Sequence, residues 1–130
     1  MKGEEPGRFD LAWGGIASLS VALSVIHTEC RQRGFTLDEI VRWMSSAPAT
    51  LAGMGHRAGA LTSGREANFI IFDSEAEFTV TPDRLHYRHP ISPYLNQTLR
   101  GTVIATYLRG EAVYREGTFA QTPSGREVRL

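Results

Sequence analysis

The chain has 130 residues, of which 42% are hydrophobic, 22% charged and 9% aromatic, a composition typical of soluble globular proteins. Fourteen basic residues balance fourteen acidic ones, which argues against a nucleic acid or an anionic membrane surface as the partner. The single cysteine, Cys30, excludes an intrachain disulfide and a thiolate zinc site, and because we find neither a membrane-length apolar run nor a secretion signal, we expect a cytoplasmic protein.

Helical patterns dominate the first half of the chain, up to about Gly59. Residues 16–26 are apolar on nearly every side of a helix, with only small serines as interruptions. Gly34 follows a polar stretch and supplies the left-handed conformation that ends many helices. This pattern predicts one helix over residues 15–33.

A second helical region begins at Thr36, which forms a capping-box pattern with Glu39. Pro48 lacks an amide and suits only the first turn of a helix, so we expect the pattern to break at residues 46–48. A short helix over residues 47–52 should then end at Gly53.

Strand-like patterns follow Gly59. Four segments have the length and composition of strands: residues 69–72, 77–80, 99–108 and 111–115. Asp73 and Ser74 should close the first of them, and the Arg109-Gly110 turn should join the last two as a hairpin. We expect the tail from Gly117 onward to be irregular.

Metal-dependent chemistry needs several converging histidines and carboxylates, and the chain has four histidines with no His-x-His pair. His86 and His89 have a spacing that suits one helical face. They either bind one metal ion together or form an ordinary surface pair. The adjacent Pro90 weakens a helix here and so favours the surface pair. We expect His27, at the polar end of an apolar helix, to be a hydrogen-bonded structural histidine.

Two other patterns resemble chemical motifs. Residues 53–58 have the Gly-x-Gly-x-x-Ala spacing of a dinucleotide-binding turn, but a helix precedes them and strands follow. Because the motif requires the reverse order, helix termination explains these glycines better. Cys30 has no evident basic partner apart from Arg31, which favours an incidental thiol over a nucleophile.

The remaining candidate is the glycine-rich turn Ala12-Trp13-Gly14-Gly15-Ile16. Its glycines let the backbone approach a ligand closely, the helix start offers unpaired amides, and Trp13 is able to wall a pocket. Alternatively, Gly14 and Gly15 only permit a sharp turn while Trp13 fills the core. Taken alone, the residues favour the second interpretation.

Several stretches resemble the C-terminal portion of allantoinases, members of the amidohydrolase superfamily related to dihydroorotases and hydantoinases. They are FDLAWGGIASL at residues 9–19, RWMSSAPATL at 42–51, GALTSGREANFIIFD at 59–73, SPY at 92–94, TLRG at 98–101 and LRGEAVY at 108–114. The AWGGI sequence is typical of allantoinases, whereas Gly-x-x-x-x-Gly-x-x-Ala-Asp is common to the superfamily. Asn68 stands where the family usually has Asp, which we expect to affect local hydrogen bonding.

The resemblance implies an α/β fold, with a (β/α)8 barrel that holds two metal ions and a small β-sandwich built from both ends of the chain. Such a barrel needs roughly 250 residues, so this chain would be a C-terminal fragment. Residues 1–58 would be the end of the barrel, with its active-site loop and closing helices, and residues 59–130 the sandwich portion with an irregular tail. Met1 would mark a truncated gene, an artificial boundary or a split subunit. A fragment would also leave residues 16–26 and 69–72 uncovered on one side.

The implied reaction is hydrolysis of the hydantoin ring of allantoin to allantoate by a metal-bridging hydroxide. Family members bind the metals through a His-x-His pair, a carbamylated lysine, two further histidines and an aspartate, all upstream of the matched segment. The resemblance therefore implies binuclear zinc, or another divalent metal, in the intact enzyme and none bound by this chain alone. We expect the chain alone to be inactive, and the intact enzyme, with its N-terminal barrel region, to be a homo-oligomer.

In related hydantoinases and dihydroorotases, backbone groups of the loop after the eighth barrel strand hold the substrate ring. The matching residues here are Ala12, Trp13 and Gly14. The resemblance implies that they bind and orient the substrate and take no part in making or breaking its covalent bonds. No catalytic residue and no metal ligand is expected in this chain. Two alternatives stay open: a non-catalytic structural or assembly module that docks onto a partner chain, and a fragment of a dihydropyrimidinase-like or dihydroorotase-like hydrolase.

Overall fold

Helices come first in the chain and an antiparallel sheet follows. The computed structural model of the chain describes residue 10 and residues 15–88 and 91–128. The helical elements are α1 (Ala22–Gln32), α2 (Leu37–Val41), a π-helical turn (Arg42–Ser46), α3 (Ala47–Leu51) and a 3-10 turn (Pro82–Arg84). The strands are β1 (Phe69–Thr79), β2 (Thr98–Leu108), β3 (Glu111–Arg115) and β4 (Thr118–Phe119), and they form one sheet in the order β1-β2-β3-β4.

Helix α1 is shorter than the sequence predicts, because it begins at Ala22 and not near Gly15. The backbone N–H of Ser20 donates to the Tyr87 hydroxyl, 2.7 Å away, so it makes no helical bond. Residues 18–21 form a turn in which the N–H of Val21 donates to the carbonyl of Ser18. The predicted end is confirmed: Gly34 has φ +78°, and the next amide returns to the carbonyl of Cys30.

The capping box of α2 is confirmed. The Thr36 side chain accepts from the Glu39 amide, and the Glu39 carboxylate accepts from the Thr36 amide at 2.8 Å. The predicted break before Pro48 is wrong, since the helical path continues through the π-helical turn into α3. In this wider turn the Ala47 amide donates to the Arg42 carbonyl, which lets the helix pass a proline at its first turn.

Strand β1 is continuous where the sequence predicts two strands closed by Asp73 and Ser74. Three residues of β1, 74–76, lie opposite the single residue Gly101 of β2, which is a large bulge. The Asp73 carboxylate accepts from the amides of Glu75 and Ala76 at 3.0 and 3.1 Å. These polar residues therefore stabilise an irregularity within one strand, because their side-chain oxygen replaces partners that the bulge removes.

The strand over residues 99–108 and the hairpin through Arg109 and Gly110 are confirmed, with φ values of +51° and +85° at the turn. The tail predicted to be irregular from Gly117 instead contains β4, which pairs with β3. Glu116 and Gly117 both have positive φ and form a second tight hairpin turn that the sequence reading missed.

The core lies where the start of α1 meets the sheet and the segment that joins β1 to β2. Val21, Val80, Leu85 and Leu99 form its buried centre. Ile16 and Leu19, just before α1, and Ile70 and Ile71 in β1 are exposed, so residues 16–26 and 69–72 each have an uncovered apolar side, as expected.

The fold is mixed, as expected, but every strand pairing in the described part of the chain is antiparallel. The described residues thus contain none of the parallel βα units of a barrel. They form one layer of sheet. Among these same residues, no helix has the length and apolar character that crossing a membrane requires.

Candidate functional site

The residues implied as substrate contacts, Ala12, Trp13 and Gly14, lie outside the described residues. The structure describes the chain that follows them, from Gly15, which has φ +83°. The candidate site is therefore built from the segment over residues 15–21 and from what holds that segment in place.

Residues 15–21 are bound to the segment that joins β1 to β2, which we call the β1–β2 connection (residues 80–97). The Ser20 hydroxyl donates to the Leu85 carbonyl at 2.6 Å, and the Ser20 amide donates to the Tyr87 hydroxyl at 2.7 Å. The Ser92 hydroxyl donates to the Ala17 carbonyl at 2.6 Å. Because Ser92 is buried, the bond it makes is shielded from competing water.

A second polar contact joins the middle of α1 to β2. The buried Ser24 hydroxyl donates to the Gly101 carbonyl at 2.6 Å. One turn further on, the Arg100 amide donates to the Thr28 hydroxyl oxygen at 2.9 Å. These bonds satisfy backbone groups that the bulge at Gly101 removes from the strand ladder, and so they fix how α1 lies on the sheet.

His27 lies within this contact and is 4% exposed. Its Nε2 donates to the carbonyl of Ser74 at 3.0 Å, and its ring meets Phe72 edge-on, with centroids 5.2 Å apart. Its Nδ1 is buried with no hydrogen-bond partner among the described residues. The expectation of a structural, hydrogen-bonded histidine is confirmed.

Gly101 allows α1 and the two strands to approach closely. A Cβ at this position would lie 2.3 Å from the Cζ of Phe72 and 2.8 Å from the Cδ2 of His27. Its φ of +93° is also a conformation that residues with a side chain rarely adopt. The contact between helix and sheet therefore requires glycine here for two independent reasons.

An open, mainly apolar cavity of about 580 Å³ lies between the start of α1 and the face of the sheet. Its lining includes Val21, Phe78, Leu85, Val103, Tyr114 and Phe119. His86 also lines it and packs edge-on against Phe119, with centroids 5.0 Å apart. His89, the other member of the predicted histidine pair, lies outside the described residues. The lining, which is mostly apolar, suits packing against apolar groups.

Charged side chains cover the outer side of α1 and the neighbouring strands. Arg31 pairs with Glu75, and Arg100 pairs with Glu77 and lies 3.7 Å from Glu75. The hydrogen bond from Arg31 lowers the pKa of Glu75, and the hydrogen bond to Glu77 raises the pKa of Arg100. Both pKa shifts favour the charged forms of Glu75 and Arg100, which suits a surface ion-pair network better than proton transfer.

Asn68, where the family usually has Asp, joins the start of β1 to the β2–β3 turn. Its Nδ2 donates to the Glu66 carboxylate at 2.9 Å, and its Oδ1 accepts from the Arg109 amide at 2.8 Å. Glu66 also accepts from Arg57 at 2.5 and 3.1 Å, and hydrogen bonds from Arg57 and then from Asn68 lower the pKa of Glu66. An aspartate at this position would have no donor for Glu66, so the expectation that the change affects local hydrogen bonding stays a prediction, and the contacts of Asn68 support it.

Within residues 15–88 and 91–128, no three histidine, cysteine, aspartate or glutamate side chains converge in a way that could hold a metal ion. The described residues therefore do not fit the two-metal centre that the resemblance implies for the intact enzyme.

The other sequence candidates are structural. Residues 53–58 end α3: the Gly53 amide returns to Thr50 and the Met54 amide to Ala49, with φ +71° at Gly53. This confirms that these glycines end a helix and do not form a dinucleotide-binding turn. Cys30 is a free, buried thiol on the side of α1 that faces the protein.

Sequence reasoning missed the polar residues that hold this site together, namely Ser20, Ser24, Thr28 and Ser92. A signal was present, since three of them recur at four-residue intervals through the predicted apolar helix, a spacing typical of one helical face.

Comparison with known proteins identifies the family that this chain resembles. Residues 9–113 match the sequence profile of the amidohydrolase family. The allantoinase of Streptomyces avermitilis is 42% identical over 118 residues, which cover 91% of this chain and 26% of that protein. The allantoinase of Arabidopsis thaliana is 40% identical over 121 residues, which cover 92% of this chain and 24% of that protein. The chain thus spans about a quarter of the length of these relatives.

Solved structures of related enzymes share the fold. The L-hydantoinase (dihydropyrimidinase) of Arthrobacter aurescens superposes with a TM-score of 0.78 and 26% identity, covering 84% of this chain and 24% of that one. The dihydropyrimidinase of Brevibacillus agri superposes with a TM-score of 0.71 and 26% identity, covering 75% of this chain and 21% of that one. Because the family profile matches most of its residues, the chain belongs to the amidohydrolase family.

Proposed function

We propose that this chain is the C-terminal portion of a cyclic amidohydrolase that hydrolyses the hydantoin ring of allantoin to allantoate. The observation that carries the proposal is the similarity to allantoinases of a bacterium and a plant along nearly the whole of this chain. The AWGGI sequence at residues 12–16 supports allantoin over other cyclic amides, since it is typical of allantoinases. The single cysteine supports a cytoplasmic enzyme.

In this proposal the chain contributes substrate orientation. Backbone groups of Ala12, Trp13 and Gly14 hold the ring, and the segment that follows them is joined to the β1–β2 connection by hydrogen bonds of Ser20 and Ser92. A ring held in one orientation presents the same amide carbon to the attacking water at every encounter. Positioning of this kind increases the rate of hydrolysis.

The groups that activate water lie elsewhere in the intact enzyme. The described residues do not provide a set of metal ligands. The carboxylates of Glu66, Glu75 and Glu39 are engaged with arginines or a backbone amide, and these hydrogen bonds lower the pKa of each. We therefore expect residues 1–58 to complete a barrel and residues 59–130 to complete a sandwich of a larger enzyme, and the chain alone to be inactive.

A chimera tests the proposal directly. The stretch of the Streptomyces avermitilis allantoinase that aligns with this chain is replaced by this chain, and allantoate formation is measured with added zinc, cobalt or manganese. We expect the chimera to hydrolyse allantoin, and both the isolated chain and the relative without the aligned stretch to be inactive. A chimera that folds like the relative but leaves allantoin intact would contradict the proposal.

Hydantoinase and dihydropyrimidinase activities form the second candidate, because enzymes with those names share the fold of this chain. Hydantoin and dihydrouracil are therefore assayed in parallel with allantoin. A preference of the chimera for either of them, relative to the parent allantoinase, would favour this candidate. A chain that supports no hydrolysis would favour a structural module.

The role of the substrate loop is tested by Gly14→Ala in the chimera. A methyl group on a backbone that approaches the ring should raise the KM for allantoin about fivefold, the equivalent of one hydrogen bond. Gly125→Ala is the control, because a Cβ there meets nothing within 4 Å. Equal KM values for the two variants would contradict a substrate role for this loop.

A further inference from the structure

We infer that the open cavity between α1 and the sheet is an interface, and that its partner is an apolar segment with an acidic side chain, from the part of the enzyme outside this chain. We call this surface the α1–sheet cavity and define it by its apolar lining residues Leu19, Ile70, Phe78, Val103, Val113 and Phe119. The inference rests on one part of the proposed function, namely that the chain is a portion of a longer enzyme.

Large apolar side chains from three different elements are exposed at the α1–sheet cavity. Leu19 lies just before α1, Ile70 in β1 and Phe119 in β4, and they are 89%, 41% and 55% exposed. The cavity that they share has a volume of about 580 Å³. Contiguous apolar surface of this kind on a soluble protein marks a site of interaction. A small molecule inside the cavity would leave such exposed side chains uncovered, so a protein segment fits the surface better.

The charged groups of the lining are basic. Arg84 and His86 line the cavity, and none of its described lining residues is an aspartate or a glutamate. The Cζ of Arg84 lies 4.9 Å from the centroid of the Phe78 ring, and Arg84 forms no ion pair in the part of the chain that the structure describes. The carboxylate of the neighbouring Asp83 is engaged by the Thr81 side chain, which is the main cause of its lowered pKa, and attraction from Arg84 contributes less. An acidic side chain on the partner segment would therefore complement Arg84.

The length of the relatives and the charge of the lining together favour the rest of the enzyme as the partner. In an enzyme as long as these relatives, about three quarters of the residues would lie outside this chain. A second copy of the chain fits less well, because a twofold interface would bring Arg84 and His86 towards the same basic groups of the other copy. Because α1 and the sheet both line the cavity, one segment seated there would contact both parts of the chain, residues 1–58 and 59–130.

Arginine substitutions in the 130-residue chain and in the allantoinase chimera test the inference. Ile70→Arg adds a charge within the cavity, and Val128→Arg, at a position that is 53% exposed and does not line the cavity, is the matched control. In the 130-residue chain, each should change Tm by about 3 °C or less, because both positions are open to water. In the chimera, Ile70→Arg should lower Tm by about 5–10 °C, since the partner segment buries the charge, and Val128→Arg should again have a small effect. Ile70→Met, which stays apolar, should preserve the Tm of the chimera.

The acidic character of the partner is tested at Arg84. Arg84→Met removes the charge and keeps an unbranched side chain beside Phe78. It should lower the Tm of the chimera at low salt, and about 1 M NaCl should remove most of the difference from the parent chimera. In the 130-residue chain, the same substitution should leave Tm nearly unchanged. Equal Tm values for the two chimeras at low salt would overturn the acidic partner.

A fluorescent dye provides a readout that needs neither activity nor unfolding. Anilinonaphthalene sulfonate has apolar rings and a negative charge, as the inferred partner has. It should bind the 130-residue chain, bind Ile70→Arg more weakly, and bind the chimera no more than it binds the parent allantoinase. Dye binding to the chimera as strong as to the 130-residue chain would overturn the inference.

The remaining outcomes separate this inference from its rival and from the proposed function. Equal Tm losses from Ile70→Arg in the chain and in the chimera would overturn the interface. A dimer of the 130-residue chain that dissociates on Ile70→Arg, together with an unaffected chimera, would overturn the partner and assign the surface to a second copy. A folded chimera that hydrolyses no cyclic amide would overturn the proposed activity, whereas the Tm comparison would still decide the interface.

Discussion

Replacing Gly101 by alanine tests whether α1 and the sheet form one packed unit. The added Cβ would lie 2.3 Å from the Cζ of Phe72 and 2.8 Å from the Cδ2 of His27, closer than packed carbon atoms approach. Overpacking of this kind costs about 1–3 kcal/mol, and an alanine held at φ +93° costs a further ~1–2 kcal/mol. Gly101→Ala should therefore lower the free energy of unfolding by about 2–5 kcal/mol.

Gly110 provides the matched control, because it has φ +85° but a Cβ there meets nothing within 4 Å. Gly110→Ala should cost only the conformational part, about 1–2 kcal/mol. Urea unfolding followed by circular dichroism measures both variants. Phe72→Leu in the Gly101→Ala background should recover part of the loss, since it withdraws the ring that the new methyl group meets. Equal losses for the two glycine variants, with no recovery, would refute the close approach of α1 to the strands.

Three further predictions concern stability. Asn68→Asp replaces a donor to Glu66 with a second carboxylate and should cost about 0.5–1.5 kcal/mol in urea unfolding at neutral pH, whereas an unchanged midpoint would contradict the contact. Ser24→Ala leaves the Gly101 carbonyl without its partner and should cost about 1–3 kcal/mol, again by urea unfolding; a neutral effect would show that water replaces the hydroxyl. The Arg57 hydrogen bonds lower the pKa of Glu66 from its ordinary value of 4.5, so they stabilise the fold above that pH and the stabilisation disappears as the pH falls through the lowered pKa. Unfolding midpoints measured between about pH 3 and pH 6 should therefore depend less on pH in Glu66→Gln than in the original chain, and identical pH profiles would exclude this linkage.

The sequence predicts elements well where one local signal determines the structure. Thr36 and Glu39 form their capping box from residues three positions apart, and Arg109-Gly110 needs only two positive φ values. Each of these signals acts within a few residues, so packing elsewhere does not alter it.

Long-range contacts account for the errors. Helix α1 begins late because Tyr87, far along the chain, binds the Ser20 amide. Strand β1 continues past Asp73 because β2 supplies partners on both sides of the bulge. In both cases a tertiary contact outweighs the local preference, and periodicity alone does not reveal such contacts.

The candidate site divides in the same way. The four-residue spacing of Ser20, Ser24 and Thr28 marks a polar line on the helix that the sequence predicts. It does not identify the backbone groups that these side chains bind. Ser92 is a single serine in a connection without periodicity, so only the structure reveals its bond to Ala17.

Allantoin turnover by the chimera is the most direct measurement of the central claim, that this chain orients a cyclic amide for an active centre located elsewhere in the enzyme. The account predicts allantoate from the chimera and none from the 130 residues by themselves at any concentration of divalent metal. Hydrolysis of allantoin by the purified 130-residue chain, at a rate that follows its concentration, would contradict it.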